Sequence, residues 1–170
     1  MPNILLTGAT GYIGSHTWLA LHEAGFEVIG VDNFANSSPR VLDRMRELMG
    51  TAPVFAEADV TDCDAIVRVL QRGPVDAVVH FAAHKAVGES VSKPLEYYRN
   101  NLGGLITLAQ AMQDRGLKRL VFSSSATVYG QPDQLPIRED APLAATNPYG
   151  TTKLLGEQLL RELEHCDPQW

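Results

Sequence analysis

The sequence predicts an α/β fold, a doubly wound parallel sheet, on three observations. Five short apolar runs, at residues 4–6, 26–31, 54–58, 77–82 and 119–123, alternate with stretches of helical periodicity. The runs are mostly apolar at consecutive positions, as strands buried on both faces require. Finally, Gly8, Gly11 and Gly14 recur at every third position directly after the first run, the spacing of a tight strand-to-helix turn. At 170 residues and 45% apolar content, the chain can bury the core of one globular domain.

Taken in order, residues 13–24 form the first helix, closed by Gly25, and residues 26–31 the second strand, ending at Asp32. Ser37-Ser38-Pro39 is expected to cap an amphipathic helix carrying Val41, Leu42, Met45, Leu48 and Met49, with Gly50 beyond its end. After the third strand, Thr61-Asp62 caps a helix through Ile66, Val69 and Leu70 that stops at Gly73-Pro74. The fourth strand contains His80, read as a core residue. One long helix is expected over residues 94–115, softened at Gly103-Gly104, which could permit close helix approach, and ended by Gly116. A last helix opens at Pro148. No internal repeat or low-complexity segment interrupts the series.

Right-handed crossovers place the carboxyl ends of all strands along one edge of such a sheet, where ligands bind. Gly8 turns the chain there, Gly11 lets backbone approach phosphate oxygens, and Gly14 lets the next helix sit tightly against the sheet. The first amides of that helix then offer hydrogen bonds and a dipole end to a pyrophosphate. Asp32 lies 18 residues past Gly14, where a dinucleotide fold places an acid for the ribose hydroxyls. A carboxylate there repels a 2′-phosphate, so NAD is expected rather than NADP. Asp59, at the end of the third strand, reads equally as an adenine contact or a helix cap.

The chemistry-bearing residues follow the fifth strand. Ser123-Ser124-Ser125 precedes Ala126 to Gly130, and after a Pro-rich loop Tyr149 and Lys153 stand four residues apart, one helical turn on one face. Chance placement of five tyrosines and four lysines in this length gives only about 0.12 such pairs. Bringing a phenol from about 10 to near neutrality takes about 4 kcal/mol of preferential phenolate stabilisation. One cation at about 4 Å supplies that at an effective dielectric near 20. Lys153 and a cationic nicotinamide are therefore sufficient to make Tyr149 a base, with Ser125 hydrogen-bonded to the reacting oxygen and helping the proton move. The sequence alone leaves open which of Ser123, Ser124 and Ser125 points inward.

Several classes are disfavoured. A net charge of −6 with four scattered lysines argues against nucleic acid. No run approaches the length of a membrane span, so a cytoplasmic protein without membrane partners is expected. Cys63 and Cys166 are isolated, pointing to packing rather than disulfides, and no spacing resembles a metal site. His80 and His84 have the spacing of a helical metal pair but fall on a strand and its exit. Gly88-Glu89-Ser90-Val91-Ser92 lacks the second glycine of a nucleophile elbow, which disfavours a hydrolase.

Across essentially all its residues the chain resembles the N-terminal half of the UDP-glucose 4-epimerases, in the extended short-chain dehydrogenase/reductase family. The resemblance rests on Thr7-Gly8-x-x-Gly11-Tyr12-Ile13-Gly14-Ser15-His16, Val31-Asp32-Asn33, the run from His80 to Ser90, Pro94-Leu95-Glu96-Tyr97-Tyr98, Phe122 to Gly130, and Pro148-Tyr149-Gly150-x-x-Lys153. The Gly, Asp and Tyr/Lys motifs specify the superfamily, and the Lys85–Ser90 and Ser123–Gly130 runs point to the epimerases. It implies a Rossmann-type NAD-binding domain over residues 1–170, with the C-terminal substrate domain absent. It also implies bound NAD and interconversion of UDP-galactose and UDP-glucose through a 4-keto sugar, with catalysis by Ser125, Tyr149 and Lys153. Cofactor contacts are implied for Gly8, Gly11, Tyr12, Ile13, Gly14, Asp32, Asn33, Asn36, Ser37, Asp59 and Val60. Further contacts are implied for Phe81, Ala82, Ala83, Lys85, Asn100 and Ser123, together with Tyr149 and Lys153. A UDP-sugar partner and a homodimer through the helices near Pro94 and Tyr149 complete the implication. The related nucleotide-sugar 4,6-dehydratases carry an Asp-Glu pair after the active-site hydroxyl, where this chain has Ala126-Thr127. A non-catalytic NAD-binding module is the alternative outside enzymology.

Overall fold

The computed structural model describes residues 1–170. The chain forms two compact units, one of Met1–Ala82 with Ile106–Ser123, the other of Ala83–Leu105 with Ser124–Trp170.

The first unit holds a five-stranded parallel sheet of β1 (Asn3–Thr7), β2 (Glu27–Asp32), β3 (Val54–Glu57), β4 (Ala77–His80) and β5 (Leu120–Phe122), in the order β3-β2-β1-β4-β5. The order reverses at β1, which pairs with both β2 and β4, as the doubly wound expectation requires. Helix α1 (Tyr12–Glu23) follows β1, α2 (Arg40–Met49) follows β2 and α3 (Cys63–Leu70) follows β3. A core of Ile4, Leu6, Trp18, Val28, Met45 and Val79 closes the face that α1 and α2 cover. Leu5 and Val78, fully buried, point by strand alternation to the other face. Trp18 is 1% exposed, and it fits because β2 carries Gly30: a Cβ built there would lie 2.2 Å from the indole. His80 is buried and its Nδ1 pairs with the Thr7 hydroxyl at 2.7 Å, so the core reading of this histidine is met with a satisfied ring nitrogen.

The second unit contains α4 (Val87–Ser92), α5 (Pro94–Tyr97), a π-helical segment (Tyr98–Gly103), a 3-10 turn (Ala126–Tyr129) and α7 (Pro148–Cys166). Helix α6 (Gly104–Asp114) begins in this unit and runs into the first.

Four expectations change. The helix expected over 94–115 is instead α5, the π segment and α6, with the irregularity beginning at Tyr98 rather than at the glycine pair. A Cβ on Gly103 would meet only the Tyr98 carbonyl at 3.9 Å, so Gly103 serves no close approach. Residues 87–92, given no helix in the sequence reading, form α4. The expected cap of α2 is met by Ser38, whose Oγ accepts from the Arg40 amide at 3.4 Å, while Ser37 turns toward Asp32. Cys63 and Cys166 are exposed, each at a helix terminus, and so do not serve packing.

Candidate functional site

In the first unit, the turn after β1 is shaped by three glycines with different reasons. Gly8 has φ +68°, and a Cβ there would stand 2.6 Å from the Ala82 amide nitrogen, so both backbone angle and space exclude a side chain. Gly11 stands before the first residue of α1 and supplies it no side-chain cap, and its amide donates to the Gly8 carbonyl at 3.1 Å. A Cβ on Gly14 would fall 2.0 Å from the Gly8 carbonyl oxygen. Gly14 thus lets α1 close onto the turn itself, where the sequence reading had it packing on the sheet. No side chain caps α1 and no acid occupies its first turn, so its positive end faces outward beside exposed Tyr12 and Ile13.

Asp32 lies beside this turn. Its Oδ2 accepts from the Thr10 amide at 3.0 Å, and its Oδ1 accepts from the Phe34 amide at 2.9 Å and the Ser37 hydroxyl at 3.3 Å. Thr10 and Ser37 hydroxyls join at 2.7 Å. These bonds fix the carboxylate in place and hold Phe34, at φ +57°, in the left-handed region that a phenylalanine seldom adopts. At the next strand end, Asp59 accepts from Asn33 Nδ2 at 2.8 Å and from both the amide and hydroxyl of Thr61. The cap of α3 is Asp62, which accepts from the Ala65 amide at 3.0 Å. Gly8, Gly11, Gly14, Asp32, Asn33, Ser37 and Asp59 are thus gathered along one sheet edge, with Phe81 and Ala82 against Gly8 and Ser123 bonded through its amide to the His80 carbonyl at 3.2 Å. Val60 is buried beside Asp59, and Asn36 is exposed in the loop after β2.

In the second unit, α7 carries Tyr149 and Lys153. Asn147 caps it, accepting from the Gly150 amide at 2.9 Å, with Pro148 at its first position. Lys153 is 4% exposed, and burial pushes its ammonium down from 10.5 to about 8. It therefore stays mainly protonated at neutral pH. Tyr149 is half-buried.

The three serines have different fates. Ser124 donates to Glu157, which also holds Arg161 at 2.9 Å, so its hydroxyl is committed to α7. Ser125 caps the 3-10 turn, its Oγ accepting from the Thr127 amide at 3.2 Å and the Thr127 hydroxyl at 2.9 Å. A Cβ on Gly150 would lie 2.9 Å from the Thr127 carbonyl oxygen and 3.1 Å from its Oγ1. The glycine after Tyr149 thus allows the first turn of α7 to press onto the turn that carries Ser125. Nothing local in the sequence signals this contact.

Asn101, in the π segment, was likewise missed. It is 5% exposed and makes four hydrogen bonds, the full capacity of its two donors and two acceptor sites. Its Oδ1 accepts from the His84 amide (2.8 Å) and from Asn100 Nδ2 (2.9 Å), and its Nδ2 donates to the His84 carbonyl (2.9 Å) and Thr152 Oγ1 (3.1 Å). Thr152 in turn donates to the Tyr149 carbonyl at 2.7 Å. The segment bearing Ala83 and exposed Lys85 is so tied to the helix bearing Tyr149 and Lys153. Two adjacent asparagines inside a helical stretch were the available sign. The buried Tyr97 hydroxyl closes the same segment, accepting from the Ala86 amide at 3.1 Å and reaching the Ala86 carbonyl and Glu89 Oε2 at 2.9 Å each. Its one proton serves one of those two at a time. Hydrogen bonds from Tyr97 and Lys93 hold the Glu89 carboxyl below its ordinary range.

The model of the NAD dependent epimerase/dehydratase family matches residues 4–166. A UDP-glucose 4-epimerase of Bacillus subtilis (strain 168) is 53% identical over 167 residues, 98% of this chain and 49% of that relative. An Arabidopsis thaliana UDP-glucose 4-epimerase is 48% identical over 99% of this chain and 49% of its own length. Among solved structures, UDP-glucose 4-epimerase from Bifidobacterium longum in complex with NAD+ and UDP superposes with a TM-score of 0.96 at 47% identity, over 99% of this chain and 50% of that one. The chain spans about half the length of the curated relatives it matches. With a family match over almost every residue, this chain belongs to the NAD dependent epimerase/dehydratase family.

Proposed function

We propose that residues 1–170 are the NAD-binding Rossmann domain of a UDP-glucose 4-epimerase, cytoplasmic and homodimeric, interconverting UDP-galactose and UDP-glucose through a 4-keto sugar. The observation that carries the reading is the second unit's geometry: Tyr149 one turn from a buried Lys153, on the helix that packs against Ser125's turn. The relatives named above support the substrate class.

The residues present fit NAD. Side chains at Gly8 or Gly14 would fill the turn, and α1 presents an uncapped positive end suited to a pyrophosphate. Asp32 would hold the adenosine ribose hydroxyls, with Asn33, Asn36, Ser37, Asp59 and Val60 at that end. Phe81, Ala82, Ala83, Lys85, Asn100 and Ser123 would serve the remainder. Bound NAD supplies a reversible hydride acceptor for carbon C4 of the sugar. Tyr149, as phenolate, takes the proton of the 4-hydroxyl and returns it to the same oxygen later. Lys153 stabilises that phenolate by its charge, and burial strengthens the attraction because little water screens it. Ser125 hydrogen-bonds the reacting oxygen.

The test is conversion of UDP-galactose to UDP-glucose by the purified protein without added cofactor. Tyr149→Phe should abolish turnover and leave NAD bound; unchanged turnover would remove Tyr149 from the mechanism.

A further inference from the structure

We propose that Thr127 is a positioning residue that makes Ser125 a donor only. This rests on the reading of Ser125 as the group beside the reacting oxygen, and narrows it.

A serine hydroxyl offers one proton and two acceptor sites. In this chain both acceptor sites of Ser125 are taken by one neighbour: the Thr127 amide at 3.2 Å and the Thr127 hydroxyl, donating, at 2.9 Å. The only hydrogen-bonding function left to Ser125 is its own proton. Thr127 is in turn held from the far side. The Gly130 amide donates to its carbonyl at 3.2 Å, and Gly150 leaves room for the first turn of α7 against both that carbonyl and Oγ1. The same residue therefore sets which way the Ser125 hydroxyl points and is braced against the helix that bears Tyr149.

The consequence concerns the path of the proton. A relay in which the sugar hydroxyl gives its proton to Ser125 and Ser125 passes its own to Tyr149 requires Ser125 to accept a hydrogen bond, and neither site is open. The proton leaving the 4-hydroxyl then goes directly to the Tyr149 phenolate oxygen, while Ser125 retains its proton and donates to the sugar oxygen. As the carbonyl forms, that donated bond strengthens against the growing negative charge. The step balances with one O–H bond broken on the sugar and one formed on Tyr149. This revises the part given to Ser125 from the sequence alone.

Neutron diffraction from a deuterated crystal of the protein tests the donor direction without reference to turnover. The expected map has the deuteron of Thr127 Oγ1 directed at Ser125 Oγ and the Ser125 deuteron turned away from Thr127. A Ser125 deuteron directed at Thr127 Oγ1 overturns the proposal. In the epimerase assay, Thr127→Val should lower kcat about fivefold to tenfold, the size of one lost neutral hydrogen bond, with KM changed less than about twofold. Thr127→Ser, which keeps the hydroxyl, should stay within about twofold of the parent. In a Ser125→Ala background Thr127→Val should have no further effect, since Thr127 acts through Ser125. An equal loss in both backgrounds, or no rescue by serine, contradicts the proposal. If the parent converts no UDP-sugar, the epimerase reading fails, and the neutron map still decides the direction of the bond.

Discussion

Lys153 is buried with only 4% of its surface exposed, and its ammonium titrates near 8 instead of 10.5. That gap corresponds to about 3 kcal/mol by which the folded chain disfavours the charged form. In the folded state the proton is held less tightly than in the unfolded chain, so between about pH 8 and pH 10.5 the unfolded state binds more protons and stability rises with pH. The cost is fully present below pH 8 and gone above 10.5. Lys153→Met removes the titrating group while keeping an unbranched side chain of similar length. At pH 7 the variant should therefore be more stable than the parent, and this advantage should shrink by about 3 kcal/mol as pH rises through the window. Urea unfolding followed by the fluorescence of buried Trp18, at intervals from pH 7 to pH 10.5, measures both chains under one set of conditions. Groups titrating identically in the two chains cancel in the difference. A parent-minus-variant difference that stays flat across the window, or grows in the variant's favour with pH, refutes the reasoning.

Other expectations follow from space. Gly14→Ala places a methyl 2.0 Å from the Gly8 carbonyl oxygen, a backbone atom that cannot swing aside, so the variant should lose at least about 3 kcal/mol and fail to retain NAD. Denaturant midpoints and cofactor content of the purified variant check this. Gly30→Ala meets the Trp18 ring at 2.2 Å and should cost about 1–3 kcal/mol, and Trp18→Phe in the same chain should recover part of the loss. Full additivity of the two substitutions would show that the ring and the glycine are not coupled. Asn101→Leu leaves the His84 amide and carbonyl and the Thr152 hydroxyl without their partner, so a loss of about 3 kcal/mol or more is expected, together with weaker binding of any ligand that needs Lys85 and Tyr149 held together.

What could be read from the sequence was whatever depends on short spacing. The glycine turn, the acid at the end of β2 and the Tyr149/Lys153 pair are each set by residues within a few turns or one strand-helix-strand unit, and each stands where it was expected. The five strands follow from apolar runs alone, although β4 stops at His80, two residues short, where the chain turns past Gly8. Residues that act through distant partners left no local mark. Gly30 looks like a weak point in a strand until Trp18 is placed over it. Gly150 reads as a spacer between Tyr149 and Lys153, yet it is the position at which α7 meets Thr127, 23 residues earlier. Ser37 has the sequence context of a helix cap, and the bonds from Thr10 and to Asp32 outcompete that role. The π segment arises where Asn101 spends all its hydrogen bonds on partners 17 and 51 residues away and on its neighbour.

In the proposed epimerase function, the sugar's C4 hydrogen leaves and returns as a hydride held within the protein while Tyr149 handles the hydroxyl proton. UDP-galactose carrying deuterium at C4, converted by the purified protein in ordinary water, tests it directly through the mass spectrum and proton NMR of the product. UDP-glucose that still carries the deuterium at C4 is the predicted result. UDP-glucose with ordinary hydrogen there, its label lost to solvent, contradicts that hydride transfer.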